Sequence, residues 1–357
     1  MSLAIITGAS GLVGSETAKF LLNKGFDVLG IDNNERKKLF GKDGDTSKIK
    51  KELIKNFKNY KHFNLDIRNV SGLEKIFKKY NKNIEFILHA AAQPSHDWAY
   101  KNIRLDFSIN SIGTLNMLEL TKKYCPESVF IFTSTNKVYG DNPNRLNFIE
   151  TKYRWTINKK HKYHQGIDET MSIDNCKHSL FGVSKTYADL LVQEYNKNFG
   201  IKTACFRAGC ITGPNHSGAK LHGFLSFLVK SCVKTKEYQL IGYKGKQVRD
   251  NIHSYDLTNA FWFFYKKPIN NAVFNIGGSN YSNCSILEAI NYIENKLKIK
   301  VKKKIISNPR VGDHQWYISN INKFKKTYPK YKLTYNTERI LDEILESYVF
   351  KSNSQIK

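Results

Sequence analysis

The chain has 357 residues, with 57 Lys and Arg against 31 Asp and Glu, and a formal net charge of +26. At 41% apolar and 13% aromatic it carries enough apolar side chain to bury a core, which excludes a disordered or fibrous protein. Its length suits roughly two domains, and no apolar run approaches the ~18 residues that a membrane span needs.

Leu3 to Thr7 reads as a short apolar strand that runs straight into a glycine-rich turn, without the basic n-region of a secretory leader. Gly11 to Asn23 has helical spacing, with Leu12, Ala18, Leu21 and Leu22 on one side. Strands are expected at Phe26–Ile31, His62–Leu65, Phe86–Ala90, Val129–Thr133 and Thr203–Arg207. A helix is expected at about Asp106–Lys123 and another at about Leu180–Phe199. Strands alternating with helices imply right-handed crossovers and an α/β fold, a Rossmann-like doubly wound parallel sheet. From Gly140 to Ser172 the chain reads as a long loop, a length that points to function. Beyond Gly213 the pattern is less regular, which suggests a smaller, discontinuous C-terminal substrate lobe. Ala272–Ile276 reads as one more strand, ended by Gly277 and Gly278. The expected division is residues 1–210 for the nucleotide-binding domain, with about 245–278 returning to it, and 211–244 with 279–350 for the lobe.

The six cysteines are far apart and have no C-x-x-C spacing, so neither a disulfide framework nor a zinc site is expected, and no metal. The positive charge is mostly Lys, spread along the whole chain. Its densest run, Lys296–Lys304, alternates with Leu and Ile and has no interleaved aromatics, so it reads as a strand edge or solvated face. Nucleic acid is therefore not an expected partner. A small anionic substrate accounts equally well for a positive field. The protein reads as soluble and cytoplasmic, with no membrane partner.

Thr7-Gly8-Ala9-Ser10-Gly11-Leu12-Val13-Gly14 lies between the first strand and the first helix. Glycines at 8, 11 and 14 let the backbone turn, approach a pyrophosphate and pack the helix on the sheet. Asp32, 18 residues beyond Gly14, ends the second strand. A carboxylate there accepts from a ribose and repels a 2′-phosphate, so NAD is the expected cofactor, although Arg36 nearby is a feature of NADP sites.

The spacing Gly-x-x-Gly-x-x-Gly resembles the extended short-chain dehydrogenase/reductase (NAD-dependent epimerase/dehydratase) family. Leu65-Asp66-Ile67-Arg68, His89-Ala90-Ala91-Ala92 and Thr133 to Gly140 are similar to further segments of that family. Within it, Ala91 to Ala99, Ser134 to Gly140, Gly213 to Gly218, Gly245 to Asp250 and Arg310 to His314 resemble the CDP-paratose 2-epimerase (CDP-tyvelose epimerase) group, over residues 3 to about 345. The resemblance implies a cofactor site at Gly8, Ser10, Gly11, Leu12, Val13, Gly14, Asp32, Asn33, Asp66, Ile67, Ala90, Ala91, Ala92, Asn110 and Lys185. It implies a substrate site at Gln93, Ser134, Thr135, Asn215, His222, Arg249 and Arg310, with the two arginines clamping the diphosphate of a nucleotide sugar. Thr135 is the implied catalytic hydroxyl and Tyr139 a structural residue.

The family's active-site helix carries Tyr-x-x-x-Lys, which puts a phenol and an ammonium on one helix face. Here the helix reads His178-Ser179-Leu180-Phe181-Gly182-Val183-Ser184-Lys185, so Phe181 stands where the tyrosine base belongs. An introduced Tyr→Phe change, a natural variant with another base, and a chain that binds without catalysing are all open at this point. Lys185, Cys210, His216 and His222 are the candidate replacement bases. The implied reaction is NAD-dependent epimerisation at C2 of a CDP-linked sugar through a transient keto sugar. A 4-epimerase, dehydratase or dehydrogenase on a sugar nucleotide, or a degenerate RNA-binding or regulatory protein, are the alternatives. The residues Ile109, Ile112, Leu115, Met117, Leu118 and Leu120 cover more than one face of their helix, which predicts a homodimer.

Overall fold

The structure, a computed structural model, describes residues 2–214, 216 and 223–353, with side chains through 348. Besides short 3₁₀ turns, its elements begin with β1 (Leu3–Thr7), α1 (Leu12–Asn23), β2 (Asp27–Ile31), α2 (Glu35–Phe40), α3 (Ser47–Asn56), β3 (Tyr60–Phe63), α4 (Val70–Tyr80) and β4 (Ile84–His89). Next come α5 (His96–Lys101), α6 (Ile103–Phe107), a π-helical turn (Ser108–Ile112), α7 (Gly113–Tyr124), β5 (Val129–Thr135), β6 (Phe148–Glu150), β7 (Trp155–Ile157) and α8 (Ser179–Phe199). They continue with β8 (Lys202–Ala208), β9 (Cys210–Thr212), α9 (Phe224–Lys234), β10 (Glu237–Ile241), β11 (Val248–His253) and α10 (Ser254–Lys266). The last are β12 (Ala272–Ile276), β13 (Asn283–Ser285), α11 (Ile286–Leu297), β14 (Lys302–Ile306), β15 (Trp316–Tyr317), α12 (Asn322–Thr327) and α13 (Thr337–Asn353).

The chain forms two compact units. The first holds residues through Val138, Ser179–Arg207 and Leu257–Phe274; the second holds Tyr139–His178, Ala208–Asp256 and the chain from Asn275 onward. The segment 139–178 thus belongs to the second unit, where a boundary at 210 would put it in the first.

A seven-stranded sheet runs in the order β12-β8-β5-β4-β1-β2-β3. Its β1 strand pairs in parallel with β2 (Ile5 opposite Leu29) and with β4 (Ile5 opposite Ile87). Every residue of β1 is buried, as a strand covered on both faces requires, and this is why Leu3-Ala4-Ile5-Ile6 is a continuous apolar run rather than an alternating one. The order reverses at β1, and the crevice beyond the carboxyl ends of β1 and β4 is where such sheets bind ligands. The core of this unit gathers Ile5, Leu29, Leu73, Phe77, Ile87, Met117, Leu118, Phe130, Phe132, Val192 and Cys205. In the second unit β11 pairs with β13, β15 and β9, β10 pairs with β14, and a separate core joins Leu228, Ile290, Ile293, Ile340 and Ile344.

Several elements differ from the sequence reading. The third strand lies at Tyr60–Phe63, two residues early, because Tyr60 is the buried residue there and Asn64 is exposed. The long loop contains the antiparallel pair β6–β7, with Phe148 opposite Ile157. The Lys-rich run ends in β14, whose Lys302, Lys303 and Lys304 are exposed beside β10, a charged strand that resists edge-to-edge pairing. The helix expected at 106–123 is α6, a π-helical turn and α7. Within it Ile109, Met117, Leu118 and Leu120 are buried in the unit's own core, and of the six residues invoked for a dimer only Ile112 is exposed, at 39%. The exposed apolar surface comes instead from Tyr100, Ile103 and Phe107 and from Val183, Tyr187 and Leu190, which repeat at helical spacing along α8.

One buried ion pair joins β5, α8 and β8. Arg207 Nη2 donates to Asp189 Oδ1 at 2.8 Å and its Nε to Oδ2 at 3.1 Å, and the Ser134 hydroxyl also donates to Oδ2. Asp189 is fully buried. Asp189→Ala leaves the Arg207 charge uncompensated and should cost about 3–5 kcal/mol, read as a lower urea midpoint. A loss below about 1 kcal/mol would show that Arg207 finds water instead.

Candidate active site

The turn after β1 is held by two contacts that only glycine allows. A Cβ on Gly8, whose φ is +68°, would stand 2.8 Å from the Ala91 nitrogen, and one on Gly14 would stand 2.2 Å from the Gly8 oxygen. Helix α1 therefore sits directly against the turn. Gly11 is its N-cap, with no side-chain cap and no acidic residue in the first turn. Leu12 and Val13, half-buried, supply that turn's N–H groups, which leaves the positive end of the helix dipole for an anion. Asp32 closes the cradle. Its Oδ2 accepts from the Ser10 N–H at 3.0 Å and its Oδ1 from the Asn34 N–H at 2.7 Å. Arg36 stacks on Phe40 at 5.1 Å, and burial lowers its pKa against the pull of Asp32. Asn33 Nδ2 donates to Asp66 at 2.9 Å, and Arg68 pairs with the same carboxylate at 2.6 Å and holds it below the usual carboxylate range. Ile67 is buried beside it. These residues fit a dinucleotide: a glycine cradle for the diphosphate and carboxylates where the adenosine would lie.

His89 ties the ends of β1 and β4. Burial drives its pKa down to about 3, so the ring is neutral. Its Nδ1 lies 2.8 Å from Thr7 Oγ1 and its Nε2 3.0 Å from Thr114 Oγ1. Thr114 donates to the Asn110 carbonyl, so the coherent assignment puts the ring proton on Nε2 and leaves Thr7 to donate to Nδ1. Thr7 Oγ1 then accepts from Ala91 N–H at 3.2 Å, which fixes the stretch Ala90–Ala92 over the crevice.

Gln93 and Asn110 come together in the interior. Gln93 N–H donates to Asn110 Oδ1 at 2.9 Å, and both side-chain amides donate to Asp106. Gln93 is 1% exposed, so this side chain braces the loop, and Ser134, bonded to Asp189, is likewise turned inward. Thr135, at the end of β5, is half-buried, and its Oγ1 accepts from the Lys137 N–H at 3.2 Å. Lys185 is 3% exposed; its Nζ donates to the Thr133 carbonyl at 2.9 Å and rests 4.1 Å from the centre of the Phe132 ring. Burial lowers its pKa to about 8, against the opposing pull of Asp189.

Phe181 is buried one turn before Lys185. His96 meets its ring edge-on, with centroids 4.9 Å apart, and His96 Nδ1 lies 2.9 Å from Ser179 Oγ. The sequence reading had His96 inside a matched phrase and gave it no role; neither Ser179 nor Asp189 carried a signal.

The remaining candidates belong to the second unit. Arg249 is buried; it donates to Asp313 and to the Val248 carbonyl at 2.8 Å. Arg310 is exposed. Cys210 begins β9, opposite Asn251 of β11, and His216 follows it in the same unit. Tyr139 is buried and donates to Asn275 at 2.7 Å. Asn215 and His222 lie outside the described residues. Among the described residues no three His, Cys, Asp or Glu side chains group as a metal site, and no helix is long and apolar enough to cross a membrane.

The family model that matches this chain, over residues 4–277, is the NAD dependent epimerase/dehydratase family. The chain is 30% identical over 326 residues to the CDP-paratose 2-epimerase of Salmonella typhi, covering 89% of this chain and 91% of that one. It is 26% identical to a UDP-glucuronate 4-epimerase of Thermodesulfobacterium geofontis, over 100% of this chain and 98% of the other. Among solved structures it is similar to a tyrosine-to-phenylalanine mutant of the Bacillus cereus UDP-glucuronic acid 4-epimerase, in complex with UDP-4-deoxy-4-fluoro-glucuronic acid and NAD. That match has a TM-score of 0.79 and 23% identity and covers 98% of this chain and 99% of that one.

Asp32 should make the protein bind NAD more tightly than NADP. Calorimetry with both cofactors is the measurement, and Asp32→Ala should weaken NAD and narrow the gap. Tighter binding of NADP by the unaltered protein would refute the role given to this carboxylate.

Proposed function

Since the chain belongs to the NAD dependent epimerase/dehydratase family, with NAD as its cofactor, we propose that it epimerises a nucleotide-linked sugar at C2, and that the nucleotide is CDP. The observation that carries the reading is that one unit holds the dinucleotide cradle, Thr135 at the end of β5 and Lys185 on α8. The likeness to the CDP-paratose 2-epimerase of Salmonella typhi along nine-tenths of both chains supports the choice of sugar nucleotide and carbon. The similarly extensive likeness to a UDP-glucuronate 4-epimerase supports a second reading, epimerisation at C4 of a UDP-sugar.

Bound NAD supplies a hydride acceptor that becomes the donor when the keto sugar has turned over. The protein's own residues do the rest. Thr135 would hold the reacting oxygen with its hydroxyl. Lys185, with its ammonium already partly deprotonated near neutral pH, would bind the nicotinamide ribose and raise the positive potential around the oxygen that loses its proton. Arg249 and Arg310 would take the diphosphate, since guanidinium forks match phosphate oxygens; Asp313 holds the Arg249 fork ready in the meantime. Asn215 and His222 complete the proposed substrate set. Phe181 carries no proton, so the base is another group.

The protein is proposed to be a cytoplasmic homodimer joined through α5, α6 and α8. Tyr100, Ile103, Phe107, Val183, Tyr187 and Leu190 form the exposed apolar surface that supports this, and Phe107 and Tyr187 already pack at 5.5 Å. Light scattering should give twice the mass of one chain, and Tyr187→Glu with Leu190→Glu should give single chains. A single-chain mass for the unaltered protein at micromolar concentration would remove the dimer.

Incubation of the protein with CDP-sugars and UDP-sugars, followed by NMR of the sugar protons, tests the reaction itself. Inversion at C2 of a CDP-sugar is expected, with Lys185→Met lowering turnover by roughly 100-fold or more. Inversion only at C4 of a UDP-sugar would overturn the first reading in favour of the second.

A further inference from the structure

We propose that His96 is the base of this reaction, the group that takes and returns the proton of the sugar hydroxyl in place of the missing phenol. The proposal rests on the epimerase reading above. Phe181 occupies the position one helical turn before Lys185, and the nearest ring to it that carries a proton site is His96, edge-on at 4.9 Å. His96 opens α5, seven residues past His89, the last residue of β4.

Its surroundings hold it there. Ser95 caps α5 by accepting from the Trp98 N–H, and the Ser95 N–H donates to Gln93 Oε1 at 2.6 Å. Gln93 in turn is locked to Asp106 and to the Ser95 carbonyl. This network fixes the backbone that carries the ring before any substrate arrives.

Ser179 sets the tautomer. It is the first residue of α8 and has a φ of +63°, a left-handed conformation that side chains other than glycine adopt only at a cost. Glycine would relieve the strain and remove the hydroxyl. That hydroxyl oxygen has two lone pairs. One accepts from the Gly182 N–H at 3.2 Å, and the other is in place for His96 Nδ1–H at 2.9 Å. With the proton on Nδ1, Nε2 is the acceptor. Protonation of Nε2 then leaves the bond to Ser179 unchanged, so neither charge state requires the ring to move.

The step balances. The hydroxyl O–H bond breaks and its proton goes to Nε2, while the electron pair left on oxygen forms the C=O bond. The hydrogen on that carbon departs with its own pair to the oxidised nicotinamide, so the sugar is oxidised and the cofactor reduced. On return the carbon regains a hydride on its other face, and the proton goes back from Nε2 to oxygen. Lys185, the proton-bearing group of the family motif, commits its ammonium to the Thr133 carbonyl and the Phe132 ring.

The experiment compares the unaltered protein with His96→Gln, Ser179→Ala and the double variant His96→Gln/Phe181→Tyr. His96→Gln should lower turnover by roughly 100-fold or more with KM changed only a few-fold, and added imidazole should restore part of the loss. The double variant should regain activity over His96→Gln, because a phenol is then back beside Lys185. A second measurement does not depend on turnover: ¹⁵N NMR of histidine-labelled protein, with CDP-glucose and UDP-glucuronic acid as probes. His96 should show its proton on Nδ1, lose that preference in Ser179→Ala, and shift at Nε2 when a probe binds. Parent-like turnover in His96→Gln overturns the proposal and leaves the epimerase reading standing. Absence of epimerisation in the unaltered protein overturns that reading, and the Nε2 shift still decides whether His96 meets the sugar. Saturation by a probe without any shift at His96 overturns the proposal, and failure of both probes to bind overturns both.

Discussion

At residue 14 there is no room for a single carbon: a Cβ would stand 2.2 Å from the Gly8 oxygen. That steric limit decides how closely α1 can approach β1, and with it where the positive end of the helix points. Gly8 meets the same limit against Ala91 at the end of β4, so one tight packing point joins the first strand, the first helix and the strand that begins the second half of the sheet. Asp32 then pins the turn through the Ser10 N–H, and the neutral His89 pins the β4 end through Thr7. Cofactor selectivity and loop geometry are therefore tied, because the carboxylate that faces the ribose also holds the backbone that faces the phosphates.

The opposite wall of the site is organised around charge rather than sterics. Lys185 is buried almost completely, and its desolvation is offset by a carbonyl, an aromatic face and the carboxylate of Asp189 one turn further along α8. Asp189 is itself compensated by Arg207 and Ser134. A buried network of this kind tolerates little change, since each member leaves a partner unpaired when removed. The helix face that carries the reaction is thus also the face that holds β5, α8 and β8 together.

Much of this was readable in the residues. The glycine spacing with Asp32, the parallel strands as apolar runs, and the substitution at Phe181 all announce themselves through local pattern, because each is a local steric or chemical requirement. Tyr60–Phe63 was displaced by two residues because tertiary burial of Tyr60 outweighed the local preference for His62–Leu65. The pairing of β6 with β7 left too short a signal in a polar stretch. The inward turn of Gln93 and Ser134 depends on partners 13 and 55 residues away, which no local pattern specifies. His96 and Ser179 are 83 residues apart, and only the fold makes them neighbours.

The π-helical turn at Ser108–Ile112 sets the rotational phase of everything after it. Such a turn holds one residue more than an α-helix of the same rise. It allows Asn110 and Ser111 to bond Ser184 Oγ and the Ser184 carbonyl, while Met117, Leu118 and Thr121 still face the core. Deleting one residue in the turn would restore regular winding and rotate the rest of α7 by about 100°. The core residues of α7 would then swing toward solvent while the Asn110 contacts stayed in place. Length, rather than composition, is what this segment cannot change: among chains that keep this site, a gap or insertion between 108 and 112 would have to come with a rebuilt face of α7.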